Sequence, residues 1–264
     1  MYKRRVFWIL LLCILIILTS ILVVTYSRTS AYRWSSKLCK AIQQGDTNTA
    51  LELVEVGISK GYSMDTLNKY PSYIWSALES TPRTPLQVSC ECGNYLVAAQ
   101  LLDAGATVYP AKGGIPTSPV FCVIRRHYLP DDQALIQLLI QHGATLEDDE
   151  YGQLIIDAAF RSPRDFSAEP DPVTGKYPYS EIVATGIADV FLLISAYRDC
   201  YAVNSANQNA LHCAAAMGNW PLVEILTTQF DFPLDAEDIY GNTAYSLALE
   251  SGASSKMLDL LIPQ

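Results

Sequence analysis

The amino-acid sequence predicts an all-α solenoid of about six helix-pair repeats, preceded by one N-terminal transmembrane helix. The first observation is a pattern that begins at Asn207 and begins again at Gly241, 34 residues later. The same spacing separates Gly218 from Gly252. A fixed period of this length is typical of stacked helical repeats. The second observation is an apolar run over residues 6–24, which is long enough to predict a membrane span.

Composition and charge narrow the classes of function. Half of the 264 residues are hydrophobic, so the chain can bury a substantial core. The formal net charge is −9, and several of the 18 Lys and Arg residues sit beside the hydrophobic N-terminus rather than in a patch. Because binding to phosphates requires a basic surface, this balance argues against a nucleic-acid partner.

Residues 1–26 form the predicted anchor. As a helix, residues 6–24 would extend ~28 Å, close to the hydrocarbon thickness of a bilayer. The apolar core of a cleaved signal peptide is usually about 7–15 residues long, so this run favours an uncleaved anchor, and cleavage is the alternative. Basic residues stand on both sides of the run. Their greater density before it favours a cytoplasmic N-terminus and an external domain, which in a bacterium is periplasmic; the cytoplasmic orientation is the alternative.

A linker is expected over residues 27–34, and a repeat domain over residues 35–264. Each repeat has a first helix, a turn with a glycine, and a second helix with an apolar stripe that is buried against its neighbours. The six repeats are expected to begin near Lys37, Thr84, Ser118, Gly152, Asn207 and Gly241.

The residues in these positions resemble the ankyrin repeat, which reads Gly-x-Thr-Pro-Leu-His-x-Ala-Ala-x-x-Gly, followed by Val-x-x-Leu-Leu. Thr84 is followed by Pro85 and Leu86, and His212 is followed by the Ala and Gly positions of the pattern. Thr caps a helix, Pro suits its first turn, and Gly adopts the positive φ of the reversal. The resemblance implies an ankyrin-like solenoid that binds another protein.

Two segments interrupt the period, near residues 60–83 and near residues 161–179. Both are rich in aromatic residues, and insertions in repeat proteins often lie in loops on the binding face. The alternative is that these side chains only cover exposed edges of the repeats. The candidate partner-binding residues in the insertions are Tyr73, Trp75, Phe166, Tyr177 and Tyr179.

In the ankyrin family, the hairpins that link successive repeats line a concave surface. Two of these linking segments are acidic here, which would suit a basic partner through electrostatic complementarity. Acidic runs are more often simply solvated. The candidates in the linking segments are Tyr109, Asp148, Asp149, Tyr151, Asp235, Asp238 and Tyr240.

The sequence contains no motif for a catalytic nucleophile, a phosphate loop or a dinucleotide. His212 occupies the position at which the family uses His to bond neighbouring backbone. Cys90 and Cys92 lack a second pair at zinc-like spacing, so no metal site is expected. A disulfide from either of them to Cys122 is conceivable, although free thiols are favoured. We therefore expect no enzymatic activity, no cofactor and no small-molecule substrate.

Taken together, these observations predict a non-enzymatic protein-binding module that an N-terminal anchor holds at a membrane. It would bind and neutralise or hold a partner protein, and an immunity-type role is the specific form we consider. The alternative is a scaffold or regulator that faces the cytoplasm and docks a membrane complex. The two functions differ in the side of the membrane on which the repeats lie.

Overall fold

The computed structural model of the protein describes residues 30–68, 82–109, 118–147 and 153–263. These residues are helical or irregular and contain no β-sheet, which fits the predicted all-α class. Helix α1 covers the described residues 30–43. The other helices are α2 (Thr47–Ser59), α3 (Pro85–Cys92), α4 (Tyr95–Asp103), α5 (Pro119–Ile124), α6 (Asp132–Gln141), α7 (Leu154–Ala159), α8 (Glu181–Ser195), α9 (Ala210–Met217), α10 (Trp220–Gln229), α11 (Ala244–Glu250) and α12 (Ser255–Asp259).

The helices form two rows. In the first row α3, α5, α7, α9 and α11 each contact the next, and in the second row α2, α4, α6, α8 and α10 do the same. Each first-row helix from α3 onward also contacts the helix that follows it in the chain. The described chain is therefore a succession of six helix pairs, α1–α2 to α11–α12, in which each pair packs mainly on its neighbours.

Local sequence explains where the first-row helices begin and end. The side chains of Thr84 and Thr243 each accept a hydrogen bond from the third residue of the helix that follows, in capping boxes. Pro85 is the first residue of α3, where its missing N–H costs no hydrogen bond. Gly93 and Gly218 end α3 and α9 in the left-handed conformation, which reverses the chain into the next helix.

The buried faces of the helices carry both small and branched side chains. Ala98, Ala214 and Ala248 are completely buried, and their short side chains let adjacent helices approach closely. Leu101 and Leu135 are also completely buried and fill the space between the rows. The apolar stripes expected from the repeat pattern thus meet in one continuous core.

The first helix begins before the predicted domain boundary. Residues 30–34, which belong to the predicted linker, are already helical. Trp34 is buried, its indole N–H donates to the Leu53 carbonyl at 2.6 Å, and its ring lies directly on Gly57. The end of the predicted linker is therefore part of the packed first helix pair.

The predicted single-pass membrane architecture is not supported. Among the described residues, no helix is both long enough and apolar enough to cross a bilayer. The longest element with both ends described, α8, has 15 residues, and a spanning helix needs about 20. Residues 6–24, on which the prediction was made, lie outside the described residues. The single-pass localisation is therefore withdrawn, together with the periplasmic location and the immunity-type role that depended on it.

The first predicted insertion connects the first helix pair to the second, and the second insertion lies within the fourth pair. In the first, the Asn68 N–H donates to the Arg83 carbonyl at 2.9 Å, and the Arg83 N–H donates to Asn68 Oδ1 at 3.1 Å. The chain therefore leaves and returns at one point, and the intervening residues 69–81 lie outside the described residues. The second insertion joins α7 to α8, and its Arg164 and Tyr179 form an isolated antiparallel bridge.

Candidate functional site

Three neighbouring cavities form one groove over the first-row helices. The first, of about 400 Å³, lies between α3 and α5, and the second, of about 350 Å³, lies between the ends of α5 and α7. The third, of about 370 Å³, lies between α7 and the loop before α9. Arg125 and Arg126 line both the first and the second cavity, and Asp157 and Phe160 line both the second and the third. Because neighbouring cavities share these lining residues, the three lie side by side along α3, α5 and α7, and we call them together the groove.

The groove is positively charged although the protein is acidic. Its charged lining consists of four arginines and two carboxylates: Arg83, Arg125, Arg126, Arg161, Glu91 and Asp157. Both carboxylates are engaged, because Glu91 pairs with Arg83, and Asp157 accepts a hydrogen bond from Arg125 Nε at 2.9 Å. With Asp132, which lies beneath the lining and pairs with the other two arginines, four arginines face three carboxylates, so one positive charge is left in excess in a chain whose net charge is −9.

Beneath the middle cavity, two arginines share one buried carboxylate. Asp132, at the start of α6, is 0% exposed. Its Oδ1 accepts from Arg126, and its Oδ2 accepts from Arg161 and from the Leu129 backbone N–H. We call Arg126, Asp132 and Arg161 the arginine cluster. Its charges do not cancel, because two guanidinium groups face a single carboxylate.

The two arginines of the cluster differ in their remaining hydrogen bonds. Arg126 Nε donates to the Cys90 carbonyl at 2.8 Å, and its Nη1 donates to the His127 carbonyl at 2.9 Å. All three nitrogens of Arg126 are thus engaged. Arg161 is only 5% exposed, yet its Nε and Nη1 have no hydrogen-bond partner in the described part of the chain.

The environment of Arg161 is apolar and aromatic apart from Asp132. Its guanidinium carbon lies 5.4 Å from the ring centroid of Tyr128, in a cation–π arrangement. Burial lowers the pKa of the Arg161 guanidinium. The negative charge of Asp132 acts in the opposite direction but offsets only part of this effect. Burial also raises the pKa of the Tyr128 hydroxyl, and the nearby Asp132 charge acts in the same direction. Arginine nevertheless stays protonated in proteins, so the excess positive charge persists.

The sequence places these arginines at equivalent points of two repeats. Arg126 follows the cap residue Ser118 by eight positions, and Arg161 follows the cap residue Gln153 by the same number. The next position is a left-handed glycine in other repeats but His127 or Ser162 in these two. The glycines are Gly93, Gly218 and Gly252. The helices α5 and α7 are also the shortest of the first row, with six residues each.

The second insertion forms an aromatic wall beside the groove. Phe166 stacks on His127, a residue of the middle cavity, with ring centroids 3.6 Å apart. Tyr177 packs at an angle against Phe166, with ring centroids 4.7 Å apart. The Tyr179 hydroxyl lies 3.0 Å from Glu181 Oε2 and donates to it; burial and this hydrogen bond raise the pKa of Tyr179. The predicted aromatic cluster is thus brought next to the groove.

The other predicted candidates are dispersed. Asp235 and Tyr240 are exposed, the latter at 75%. The exposed Tyr109 reaches the Gly143 carbonyl with its hydroxyl, at 3.4 Å. None of these three lines the groove. Five further candidates, Tyr73, Trp75, Asp148, Asp149 and Tyr151, lie outside the described residues.

Asp238 faces inward and organises its own turn. Its Oδ1 accepts from the backbone N–H groups of Tyr240 and Asn242, and its Oδ2 accepts from the side-chain amides of Gln208 and Asn242. Burial alone would raise the pKa of this carboxyl, but these hydrogen bonds outweigh it and lower the pKa to about 2. The carboxylate is used within the protein, so we do not count it among the residues that face a partner.

His212 and the cysteines, which could in principle take part in chemistry, are used within the fold or buried in it. His212 donates from Nε2 to the Ala236 carbonyl at 3.0 Å, which joins α9 to the following linking segment. The six described cysteines are free thiols, and all but Cys92 are buried. Burial raises the pKa of Cys39 and of Cys213 to about 12. Within residues 30–263, apart from the undescribed segments, no group of His, Cys, Asp and Glu side chains is arranged to hold a metal ion.

Sequence reasoning missed the arginine cluster. The available signal was the replacement of the turn glycine by His127 and Ser162, each preceded by an arginine. That signal marks two exceptional repeats, but it does not reveal that both side chains meet at Asp132.

No protein-family model matches this chain, and no curated protein matches it in sequence. The groove and the arginine cluster are therefore interpreted from their own geometry and chemistry.

Proposed function

We propose that this chain is a non-enzymatic, ankyrin-repeat protein that binds a segment of another protein in the groove. The continuity of the groove over α3, α5 and α7 is the observation that carries the proposal. A surface that extends over several repeats suits an elongated ligand, because each repeat contributes a similar set of contacts.

The ankyrin assignment is supported by local geometry. Thr84 caps α3 in front of Pro85, Gly93 and Gly218 reverse the chain with positive φ, and His212 bonds to the next linking segment. These are the roles that the sequence pattern gives to the same positions. Six successive helix pairs in two rows are also the arrangement that such a pattern requires.

The lining of the groove suits a polypeptide partner. Phe160 is partly exposed between the second and third cavities and offers an apolar contact. In the third cavity, Gln153 Oε1 is buried without a hydrogen-bond partner in the described part of the chain, so it can accept from a peptide N–H. The arginines supply donors along the same path. Mixed apolar and polar contacts of this kind are typical of non-obligate protein interfaces.

A photo-crosslinking experiment tests the proposal. The photoreactive residue p-benzoylphenylalanine replaces Phe160 in the groove or, as a control, the exposed Leu96 on the second-row helix α4. We expect one discrete protein to be crosslinked from position 160 and not from position 96. The captured protein is then purified and titrated against the chain and its Phe160→Ala variant, which should bind at least about fivefold more weakly. Equal crosslinking from both positions, or equal affinity of both chains, would contradict binding in the groove.

A further inference from the structure

We propose that the segment bound in the groove is acidic and that one of its carboxylates binds the arginine cluster at Arg161. This inference rests on the proposed function and adds the chemistry of the partner. It differs from the expectation of a basic partner, which was based on the acidic linking segments and not on the groove.

The arginine cluster carries a positive charge that the protein does not balance. Asp132 is completely buried and balances only one of the two guanidinium groups that it contacts. A buried charge without compensation is unfavourable, because it has lost its hydration and gained no counter-charge. An incoming carboxylate would supply the second negative charge at the point where it is missing.

Arg161 also keeps two hydrogen-bond donors that no described residue uses. The Nε and Nη1 groups of this nearly buried side chain have no hydrogen-bond partner among the described residues, and Arg161 lines the middle cavity. Guanidinium N–H groups form their strongest hydrogen bonds with carboxylates, which accept two or more at once. A ligand in the cavity can therefore satisfy donors that the protein leaves unsatisfied.

The carboxylates that line the groove are already engaged with other arginines. Glu91 pairs with Arg83, and Asp157 pairs with Arg125. Neither is therefore available to neutralise Arg161 without giving up its own partner. The positive excess of the groove is thus left for a ligand, although the whole chain is acidic.

The arrangement of the cavities favours an acidic segment over a single small anion. Arg125 and Arg126 line the cavity on one side of Arg161 as well as its own cavity, so the positive charge continues along the groove. An extended chain with several Asp or Glu residues can follow this path, whereas an isolated anion can use only one point of it. Free anions are therefore the competing ligand in the test.

The test uses the full chain and two labelled peptides of equal length, hexaglutamate and hexaglutamine. Binding is measured by fluorescence anisotropy at moderate ionic strength. Both peptides are amidated at the C-terminus, and we expect hexaglutamate to bind at least about tenfold more tightly than hexaglutamine, because only hexaglutamate then supplies carboxylates to the guanidinium groups. This preference should decrease as salt is added, since screening weakens attraction between partly exposed charges.

Substitutions then locate the binding. Arg161→Met should remove most of the preference for hexaglutamate, and Arg161→Lys should retain part of it, because a lysine keeps the charge but not the planar donors. Arg33→Gln on α1 is the matched control: it removes an exposed arginine outside the groove lining and should leave binding unchanged. Circular dichroism confirms that each variant is folded.

Three outcomes would overturn the inference. They are equal binding of the two peptides to the wild-type chain, an undiminished preference in a folded Arg161→Met variant, and displacement of hexaglutamate by inorganic phosphate at an equal concentration of anionic groups. The comparison of peptides on the wild-type chain requires no variant, so it decides the matter even if Arg161→Met fails to fold. Crosslinking from position 160 to a partner without an acidic segment would retain the proposed function and reject only its chemistry.

Discussion

Asp132 and Arg161 are unequal members of one ion pair. Asp132 holds both arginines of the cluster and accepts a backbone hydrogen bond as well, whereas Arg161 contacts no second carboxylate among the described residues. Loss of the carboxylate leaves the buried Arg161 and the half-buried Arg126 without their ion-pair partner, whereas loss of Arg161 leaves Asp132 still paired with Arg126. The two side chains should therefore contribute very differently to stability.

We predict that Asp132→Asn lowers the free energy of unfolding by about 3–5 kcal/mol, as is typical when one partner of a buried ion pair is removed. Arg161→Met should cost at most about half as much, because it also removes the uncompensated positive charge. Guanidinium chloride titrations followed by circular dichroism measure both values, with the exposed Asp235→Asn as control. Equal costs for the two substitutions would show that Arg161 has a mainly structural role.

Single positions also show what sequence alone can predict. The cap at Thr84, the left-handed Gly218 and the backbone bond of His212 all follow from local patterns, because each depends on residues within one repeat or its neighbour. The inward orientation of Asp238 and the sharing of Asp132 depend on side-chain geometry across two or more repeats. An acidic residue in a linking segment looks the same in sequence whether it faces solvent or closes a turn.

Among the helices, α8 is held by an unusual contact. Tyr128, in the loop between α5 and α6, lies directly on Gly186 in the middle of α8. The same Tyr128 ring lies beside the Arg161 guanidinium. The absence of a side chain at residue 186 thus makes room for the aromatic ring that flanks the arginine cluster.

Because of this contact, Gly186→Ala should change the stability in the opposite direction from an ordinary replacement of Gly by Ala in a helix. In a helix interior, replacement of Gly by Ala ordinarily stabilises by about 0.5–1 kcal/mol. Here the new methyl group would overlap the Tyr128 ring, so we expect a net destabilisation of about 1–3 kcal/mol. The neighbouring exposed Thr185→Ala serves as control and should be neutral or slightly stabilising.

A double-mutant cycle assigns the effect to this contact. The cost of Gly186→Ala should largely disappear in a Tyr128→Leu background, where the ring is absent. Thermal unfolding of the four chains measures the coupling. An unchanged cost in that background would place the strain elsewhere in α8.

The helices themselves were largely predictable. The apolar spacing over residues 182–197 predicts a second helix for the fourth repeat, and the structure has α8 over Glu181–Ser195. The period and the apolar spacing determine such an element, because both are local properties of the sequence. The earlier start of α1 was missed, since the packing of Trp34 on Gly57 joins two helices and cannot be read from either one.

At the scale of the whole molecule, each helix pair is stabilised by its contacts with the neighbouring pairs. Helix α11 contacts α9 in the first row and α12 in its own pair. A solenoid of this kind is stabilised by contacts between neighbouring repeats, so damage at one end need not unfold the other. The last helix pairs should accordingly be able to unfold together while the first pairs remain folded.

We predict that Ala248→Arg, which places a charge at a completely buried position of α11, exposes the last repeats selectively. Hydrogen exchange should accelerate in α9 to α12 and remain near the wild-type rate in α3 to α6. Leu249→Arg is the control, because this next residue is 57% exposed and should change neither region. Uniform acceleration along the chain would instead indicate a single all-or-none unit.

The repeat pattern in the sequence predicts the overall architecture but not the groove. Counting the period leads to paired helices because each repeat carries its own turn and apolar stripe. The position of the groove and its charge do not follow from the count, since they depend on side chains contributed by four separated segments. The net charge of −9 would even predict a negative surface, and not one lined by arginines.

A molecule that approaches the groove therefore meets two electrostatic potentials of opposite sign, one at long range and one close to the surface. Beyond a Debye length of roughly 8–10 Å at physiological salt, an approaching body responds to the overall negative charge of the protein. Closer in, it meets a local positive strip between low-dielectric walls. Such an arrangement slows the approach of broadly anionic macromolecules and admits those whose negative charge is concentrated in a narrow tail, so discrimination between partners begins before any contact is made.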